Sequence, residues 1–458
     1  MSNGLFWFRR DLRLEDNNGL YHCLQDNENT YLVFIFDDNI ISKLDQEDRR
    51  IRFIIESLQD INNKLQQYNT QLIIQYGEPT QIITDLAQQL NISSVYSNED
   101  YEPYAIARDM HASNSLATIN IKFHQYKDQL IFAKREILSA KETPYSVFTP
   151  YKNTWNKLLS SVSLTNYPSK ELLHKIKYQD QFNTDILHKL STKFHNQSKL
   201  KGGSSAAQAR LNNFIDNLDN YNNTRDIPSL DATSYLGSDL RFGTISIRNL
   251  VSLATHRKSS GGDTWLGELI WREFFSQILY NYPHVVTKPY NNKYTNIIYP
   301  NNMEWFQRWC EGSTGVAIVD AAMRQLNQTG FMHNRLRMIS AFFLIKDLLV
   351  DYRYGEAYFA KMLMDYDLAS NNGNWQWCAS TGCDAQPYFR VFNPYLQAQR
   401  FDNDATFIKQ YIPELSNLPA SIILKQPNLK LYAPQYYEPI VEHSIMSKSA
   451  IMHYKQFN

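Results

Sequence analysis

The sequence predicts an α/β domain with a parallel, Rossmann-like sheet, joined by a long linker to an all-α domain. Three observations predict this. Short runs rich in β-branched and aromatic residues alternate with helical patterns over residues 1–125. Residues 126–203 are polar and weakly periodic. From about residue 204 to the end, helical periodicity dominates. At 458 residues the chain exceeds one ordinary core and suits two domains.

In the first domain, GLFWF, TYLVFIF, QLIIQYG and ISSVYSN read as strands. The longer patterns Gln46–Tyr68 and Pro79–Leu90 between them read as helices. This alternation implies a parallel sheet covered by helices. RRDLRLEDN follows the first strand in place of G-x-G-x-x-G, so a dinucleotide held in the usual Rossmann manner is not indicated. Residues 126–203 read as a connection between domains. Gly202-Gly203-Ser204-Ser205 then opens a helical pattern at Ala206–Asn217. Thr264–Tyr280, Val316–Leu326 and Asn334–Val350 are further helical patterns in the second domain.

Composition narrows the function. The 46 basic and 46 acidic residues cancel, which argues against a generic basic DNA binder. A nucleic-acid site would need local segregation of charge. Cys23, Cys310, Cys378 and Cys383 form no C-x-x-C sets, so a structural zinc site is not expected, nor any other metal. Four scattered cysteines read as reduced thiols, which places the protein in a cytoplasm. The apolar run Leu5–Phe8 is too short for a signal peptide and precedes Arg9 and Arg10. Met338–Val350 is interrupted by Lys346 and Asp347 and is too short to span a bilayer.

Six of the eight tryptophans fall between Trp265 and Trp377, and core packing is the ordinary reading of any one of them. Their neighbours point further. In D-T-W-L-G-E-L-I-W-R-E-F, helical spacing puts Trp265, Glu268 and Arg272 on one face, with Trp271 nearby. A carboxylate and a guanidinium among indoles suit a cavity where flat rings are stacked and hydrogen-bonded. In T-G-F-M-H-N-R-L-R-M-I-S, Gly330 breaks a helix and Asn334, Arg337 and Met338 then share a face, while Arg335 points elsewhere. D-Y-D-L-A-S-N-N-G-N-W-Q-W supplies Asp365, Asp367 and Asn371. Trp375 and Trp377, two apart, diverge by roughly 200° on a helix.

W-F-R-R-D-L-R-L-E-D-N, T-S-Y-L-G-S-D-L-R-F-G, E-L-I-W-R-E-F-F, D-A-A-M-R-Q-L, G-F-M-H-N-R-L-R-M and N-N-G-N-W-Q-W resemble the photolyase/cryptochrome family. The resemblance runs from Leu5 to about residue 443, with the motifs in family order. It is closest to the bacterial class I enzymes that repair cyclobutane pyrimidine dimers. It implies light-driven repair of DNA containing pyrimidine dimers, with non-covalent FAD active in its fully reduced form. A monomer is expected.

Position by position, the resemblance implies that Tyr221, Thr233, Ser234, Tyr235, Leu236 and Gly237 hold the FAD phosphates and ribityl chain. Gly237 stands where relatives usually carry Ser. Trp265, Glu268 and Arg272 would line the flavin pocket. Arg337 and Asp365 would form an ion pair against the isoalloxazine, with Asp367 accepting from the pyrimidine edge and Asn371 facing N5. Photolyases are among the enzymes that take their target out of the base stack. Trp271 and Trp377 would flank the extruded dimer, Glu268 and Asn334 would bond its base edges, and Met338 would complete the floor. Arg225, Arg272, Arg335, Arg390 and Gln397 match strand-contacting positions. Trp375 matches the tryptophan next to the flavin in the family's photoreduction wire. Tyr352 and Tyr299 stand where its middle and surface tryptophans usually are.

The antenna site has Tyr104-Ala105 where folate-binding relatives carry Asn-Glu, so a deazaflavin or a second flavin is expected over folate. Six-four photolyases would carry histidines at the places of Asn334 and Met338. Plant-type cryptochrome photoreceptors tend to carry Asp at the place of Asn371 and a long C-terminal tail.

Overall fold

The computed structural model describes residues 2–182, 184–195 and 200–457. By contact the chain divides into two compact units. The first holds Met1–Pro144, Pro150–Asp219 and Ser234–Asn281; the second holds Tyr145–Thr149, Asn220–Thr233 and Tyr282–Asn458.

The first unit carries a five-stranded, wholly parallel sheet in the order β3-β2-β1-β4-β5. The strands are β1 Asn3–Phe8, β2 Asn29–Asp37, β3 Ile73–Gly77, β4 Ser94–Asn98 and β5 Lys122–Tyr126. β1 and β2 are near-continuous apolar runs because helices cover both faces of a parallel sheet. Four strands match the apolar runs read from the sequence. β5 was not foreseen: as KFHQY it is half polar and largely uncovered, which an edge strand tolerates. The expected helices form at Arg49–Leu65 and Pro79–Gln89. Asp48 caps the first, its side chain accepting from Arg50 N. Glu78 caps the second ahead of Pro79.

The segment RRDLRLEDN is a hub of buried charge instead of a phosphate loop. Arg13 Nη2 reaches Asp128 Oδ2 at 2.6 Å, and Arg248 bridges Asp128 Oδ1 (2.8 Å) and Asp16 Oδ1 (2.9 Å). All four side chains are buried, so each charge depends on its partners. Arg10 and Arg241 both pair with Glu102. Gly243 (φ 65°) lies against this turn: a Cβ there would stand 2.1 Å from the Arg10 carbonyl oxygen.

Residues 126–203 are more structured than a bare connection, with helices at Phe148–Leu159 and Ile186–Lys193. One side chain explains why most of this segment and the helix Ser260–Asn281 share a unit. Glu273 is 2% exposed and accepts from Ile131 N (2.8 Å), Phe132 N (3.0 Å), Trp155 Nε1 (2.6 Å) and Tyr151 Oη (3.3 Å). The glutamate thus ties two stretches of chain more than a hundred residues upstream to its own helix.

The second unit is helical around a core that includes Trp309, Met323, Phe342 and Trp375. The expected helix Asn334–Val350 is interrupted. It is α-helical over Asn334–Phe342, passes into a π-turn at Phe343–Asp347, and ends before Leu349 (φ 51°). The interruption accommodates the two charges that break the apolar run. Lys346 is buried against Ser380 Oγ (3.2 Å) and the Tyr454 ring, and Asp347 pairs with His443 Nδ1 at 2.5 Å. Among the described residues no helix is long and apolar enough to cross a membrane.

Candidate functional site

The second unit contains an open cavity lined in part by Asn334, Arg337, Met338, Asp365, Asp367 and Asn371. Local sequence builds each wall. Gly330 (φ 71°) stops the helix Ala317–Thr329, its N–H reaching the Leu326 carbonyl at 2.8 Å. His333 then caps the next helix, Nδ1 accepting from Arg335 N at 3.2 Å. Helical spacing turns Asn334, Arg337 and Met338 to the cavity together. Asp367 caps the helix Leu368–Ala379 by accepting from Ser370 N at 3.0 Å. Asn371 follows one turn later and is 9% exposed.

The polar groups are fixed in place. Arg337 Nη2 pairs with Asp365 Oδ2 at 2.8 Å, and its Nε donates to the Met332 carbonyl at 2.8 Å. Asp365 Oδ1 is buried with no hydrogen-bond partner among the described residues. Asn371 Nδ2 donates to the Glu356 carbonyl at 3.1 Å, which fixes the orientation of its amide. Burial pushes the His333 imidazole down to about 4, so it stands neutral at pH 7.

The two tryptophans of N-W-Q-W diverge as their spacing requires. Trp375 is 2% exposed and meets Trp309 edge to face at 6.2 Å and Phe359 at 4.9 Å. Trp377 is half-buried, edge-on to Phe342 at 6.1 Å. Tyr352 and Tyr299 are both buried. Tyr299 lies inside the core, not at the surface, with its hydroxyl 3.0 Å from that of Tyr454.

The remaining expected residues distribute between the units. In the second, Tyr221 is buried beneath the Arg225 guanidinium (5.6 Å), and the Thr233 hydroxyl is buried without a partner among the described residues. Arg335 pairs with Asp226 at 2.8 Å. Arg390 is exposed and bonds Gln386 at 2.8 Å, and Gln397 is half-buried. In the first, Ser234 accepts from Leu236 N at 3.5 Å, Tyr235 takes φ 53°, and Gly237 opens the helix Gly237–Phe242. Trp265 packs on Phe214 at 5.2 Å and Trp271 stacks on Phe275 at 5.4 Å. Glu268 is half-buried. Arg272 donates to the carbonyls of Gln129 (2.8 Å) and Leu240 (3.3 Å).

Sequence reasoning missed Glu356, which carries the carbonyl that holds Asn371 and lies fifteen positions upstream of it. Burial pushes its carboxyl up to about 7, against the Asn372 amide that donates to Oε1 at 2.9 Å. The folded value lies above the ordinary 4.5, so the proton favours the fold. This contribution is complete below about pH 4.5 and is lost as pH rises through 7, an amount on the order of 3 kcal/mol. Glu356→Gln is therefore expected to lose less stability than the unchanged protein between pH 4.5 and 8. Urea midpoints across that range test it, and equal losses would refute it.

A buried carboxylate oxygen of Asp365 with no partner among the described residues and the fixed amide of Asn371, both lining the cavity, fit a planar, polar-edged cofactor. Comparison with known proteins agrees. Residues 265–456 match the FAD binding domain of DNA photolyase, and residues 4–171 match the DNA photolyase domain. The chain is 36% identical to a deoxyribodipyrimidine photo-lyase of Synechococcus sp. over 99% of its length and 96% of the relative's. It is similar to the archaeal photolyase from Sulfolobus tokodaii, solved with two FAD molecules: TM-score 0.87, 35% identity, 99% of this chain and 100% of that one. It also resembles the Synechocystis cryptochrome, with TM-score 0.85 and 26% identity over 100% of this chain and 99% of that one. A parallel α/β domain followed by a helical FAD-binding domain defines a class of light-using flavoproteins. The chain belongs to the photolyase/cryptochrome family.

Proposed function

We propose that this protein repairs cyclobutane pyrimidine dimers in DNA with light, as a monomer in the cytoplasm. The observation that carries the reading is the cavity in which Asn334 and Met338 stand beside the Arg337–Asp365 pair and Asn371. Neither position holds the histidine expected of a six-four photolyase. Bound non-covalently and fully reduced, FAD would supply light-driven one-electron chemistry to a dimer held in the site.

The protein's own groups bind, orient and shield. Tyr221, Thr233, Ser234, Tyr235, Leu236 and Gly237 hold the phosphates and ribityl chain. Trp265 and Arg272 line the pocket, and Asp367 accepts from the pyrimidine edge of the flavin. Arg337 offers a fixed positive charge against a reduced, anionic ring, and Asp365 holds that charge in place. Asn371 presents an amide that serves N5 in either protonation state, because it can donate or accept. Trp271 and Trp377 flank the dimer with flat apolar surface, and Glu268 and Asn334 bond its base edges. Arg225, Arg272, Arg335, Arg390 and Gln397 position the strand without reading its sequence. For the antenna, Tyr104-Ala105 in the place of the Asn-Glu pair of folate-binding relatives favours a deazaflavin or a second flavin over folate.

The similarity to a cryptochrome keeps a photoreceptor as the second reading. Illuminating the reduced protein with dimer-containing DNA separates the two. Recovery of thymine absorbance is expected, and its absence at full flavin occupancy would overturn the repair reading. In the same assay Trp271→Ala is expected to weaken binding of damaged DNA by about 1–3 kcal/mol, the worth of one base–aromatic stack, with FAD retained. An unchanged preference for damaged DNA would remove Trp271 from the substrate site.

A further inference from the structure

We infer that Asp226 is a built-in competitor for DNA phosphate, which must be displaced before a strand can seat on Arg225 and Arg335. This rests on the reading of those two arginines as strand contacts.

The Asp226 carboxylate touches both arginines. Its Oδ2 lies 2.8 Å from Arg335 Nη2, and its Oδ1 lies 3.8 Å from Arg225 Nε. Arg335 is held from its other sides. Its guanidinium lies 4.3 Å over the Phe401 ring, and Nη1 is 3.9 Å from Met338 Sδ. Its Nε is buried without a hydrogen-bond partner among the described residues. A guanidinium laid flat on a ring presents its N–H edge outward, and that edge suits two oxygens of one carboxylate or one phosphate alike. Here one carboxylate oxygen already occupies Nη2.

Asp226 is also free to leave. It lies past the short helix Tyr221–Thr224, and a third of its side chain is exposed. Arg337 is paired with Asp365, and His333, which faces this group, is neutral at pH 7. Displacing Asp226 therefore leaves one anion beside the incoming phosphate, a repulsion that lowers affinity for any duplex, damaged or not. Affinity within one interface is set mostly by dissociation, so the same carboxylate hastens release of repaired DNA.

A purely structural Asp226 predicts the opposite sign. If it only positioned Arg335, removing its charge would weaken DNA binding. The test is fluorescence anisotropy of the FAD-loaded protein in the dark with two probes, an undamaged duplex and the same duplex carrying one thymine dimer. Asp226→Asn is expected to bind both about five- to tenfold more tightly at about 50 mM salt, and the gain is expected to shrink as salt rises. Asp226→Ser, which also lacks the charge, is expected to change in the same direction. Arg335→Gln is expected to weaken both, and the gain from Asp226→Asn to shrink in the Arg335→Gln background to the share that acts through Arg225. The inference is overturned if Asp226→Asn binds equally or more weakly, or if its gain is undiminished without Arg335. Wild-type protein that fails to favour the dimer duplex would instead count against the proposed repair function, with the undamaged probe still judging Asp226.

Discussion

Trp375→Phe is expected to abolish light-driven reduction of oxidised FAD while chemically reduced protein keeps its repair activity. Trp375 lines the cavity and is packed from several sides. A Cβ on Gly355 would stand 2.2 Å from the indole, so the ring has one seat. Phenylalanine fills most of that seat but gives up an electron far less readily. The carriers proposed for the next step are Tyr352 and Tyr299. Oxidised tyrosine is a very strong acid and must shed its proton as the electron leaves. Burial pushes the phenols of Tyr352 and Tyr299 well above their ordinary range, and the partner of Tyr299 is another buried phenol, Tyr454. The hydroxyl contact of Tyr299 offers it no base, whereas the charge of the Glu356 carboxyl acts on the Tyr352 phenol. Charge on Trp375 is therefore expected to return quickly, or to leave through tyrosine at a rate that slows in heavy water. Transient absorption of Trp375→Phe, Tyr352→Phe and Tyr299→Phe reads this directly. An unchanged yield and isotope effect in Tyr352→Phe would take that residue out of the route. Loss of repair by chemically reduced Tyr352→Phe would assign it a structural role.

Glu273→Ala is expected to cost on the order of 3–5 kcal/mol of stability, enough to unfold a marginal unit. Alanine leaves two backbone N–H groups, an indole N–H and a phenol without their acceptor, in a place water does not reach. Burial pushes the Glu273 carboxyl up to about 7 despite the donors that favour its charge. Glu273→Gln keeps one oxygen but sets an amide donor against a donor, so an intermediate loss is expected. Urea unfolding followed by tryptophan fluorescence measures both. A loss within about 1 kcal/mol for Glu273→Ala would show that the donors find other acceptors.

The parts of the molecule that were legible in the sequence are those written in local pattern. The four apolar strands, the Gly330 stop and the common face of Asn334, Arg337 and Met338 all follow from periodicity or breaker chemistry. The family motifs supplied the expected roles. What stayed hidden depends on distant chain. β5 lacks an apolar alternation because an edge strand does not need one. The π-turn at Phe343–Asp347 answers to His443, nearly a hundred positions away. Glu356 reads as one more surface charge on an amphipathic helix until Asn371 and Asn372 are placed beside it. Tyr366, between two noted aspartates, lines the cavity too and could have been suspected from its neighbours alone.

The wide sequence separation closed by Glu273 also bears on synthesis. A ribosome adds residues from the N-terminus, and the sheet can form once β5 has emerged. The N–H of Ile131 must then wait for an acceptor 142 residues later. At roughly 5–20 residues per second that interval lasts on the order of ten to thirty seconds. During it the nascent chain exposes the indole of Trp155 and two unpaired backbone donors, which a chaperone or a neighbouring nascent chain can engage first. Slowing or pausing translation before residue 273 should therefore lengthen the vulnerable interval and lower the soluble yield, while a pause after residue 281 should not.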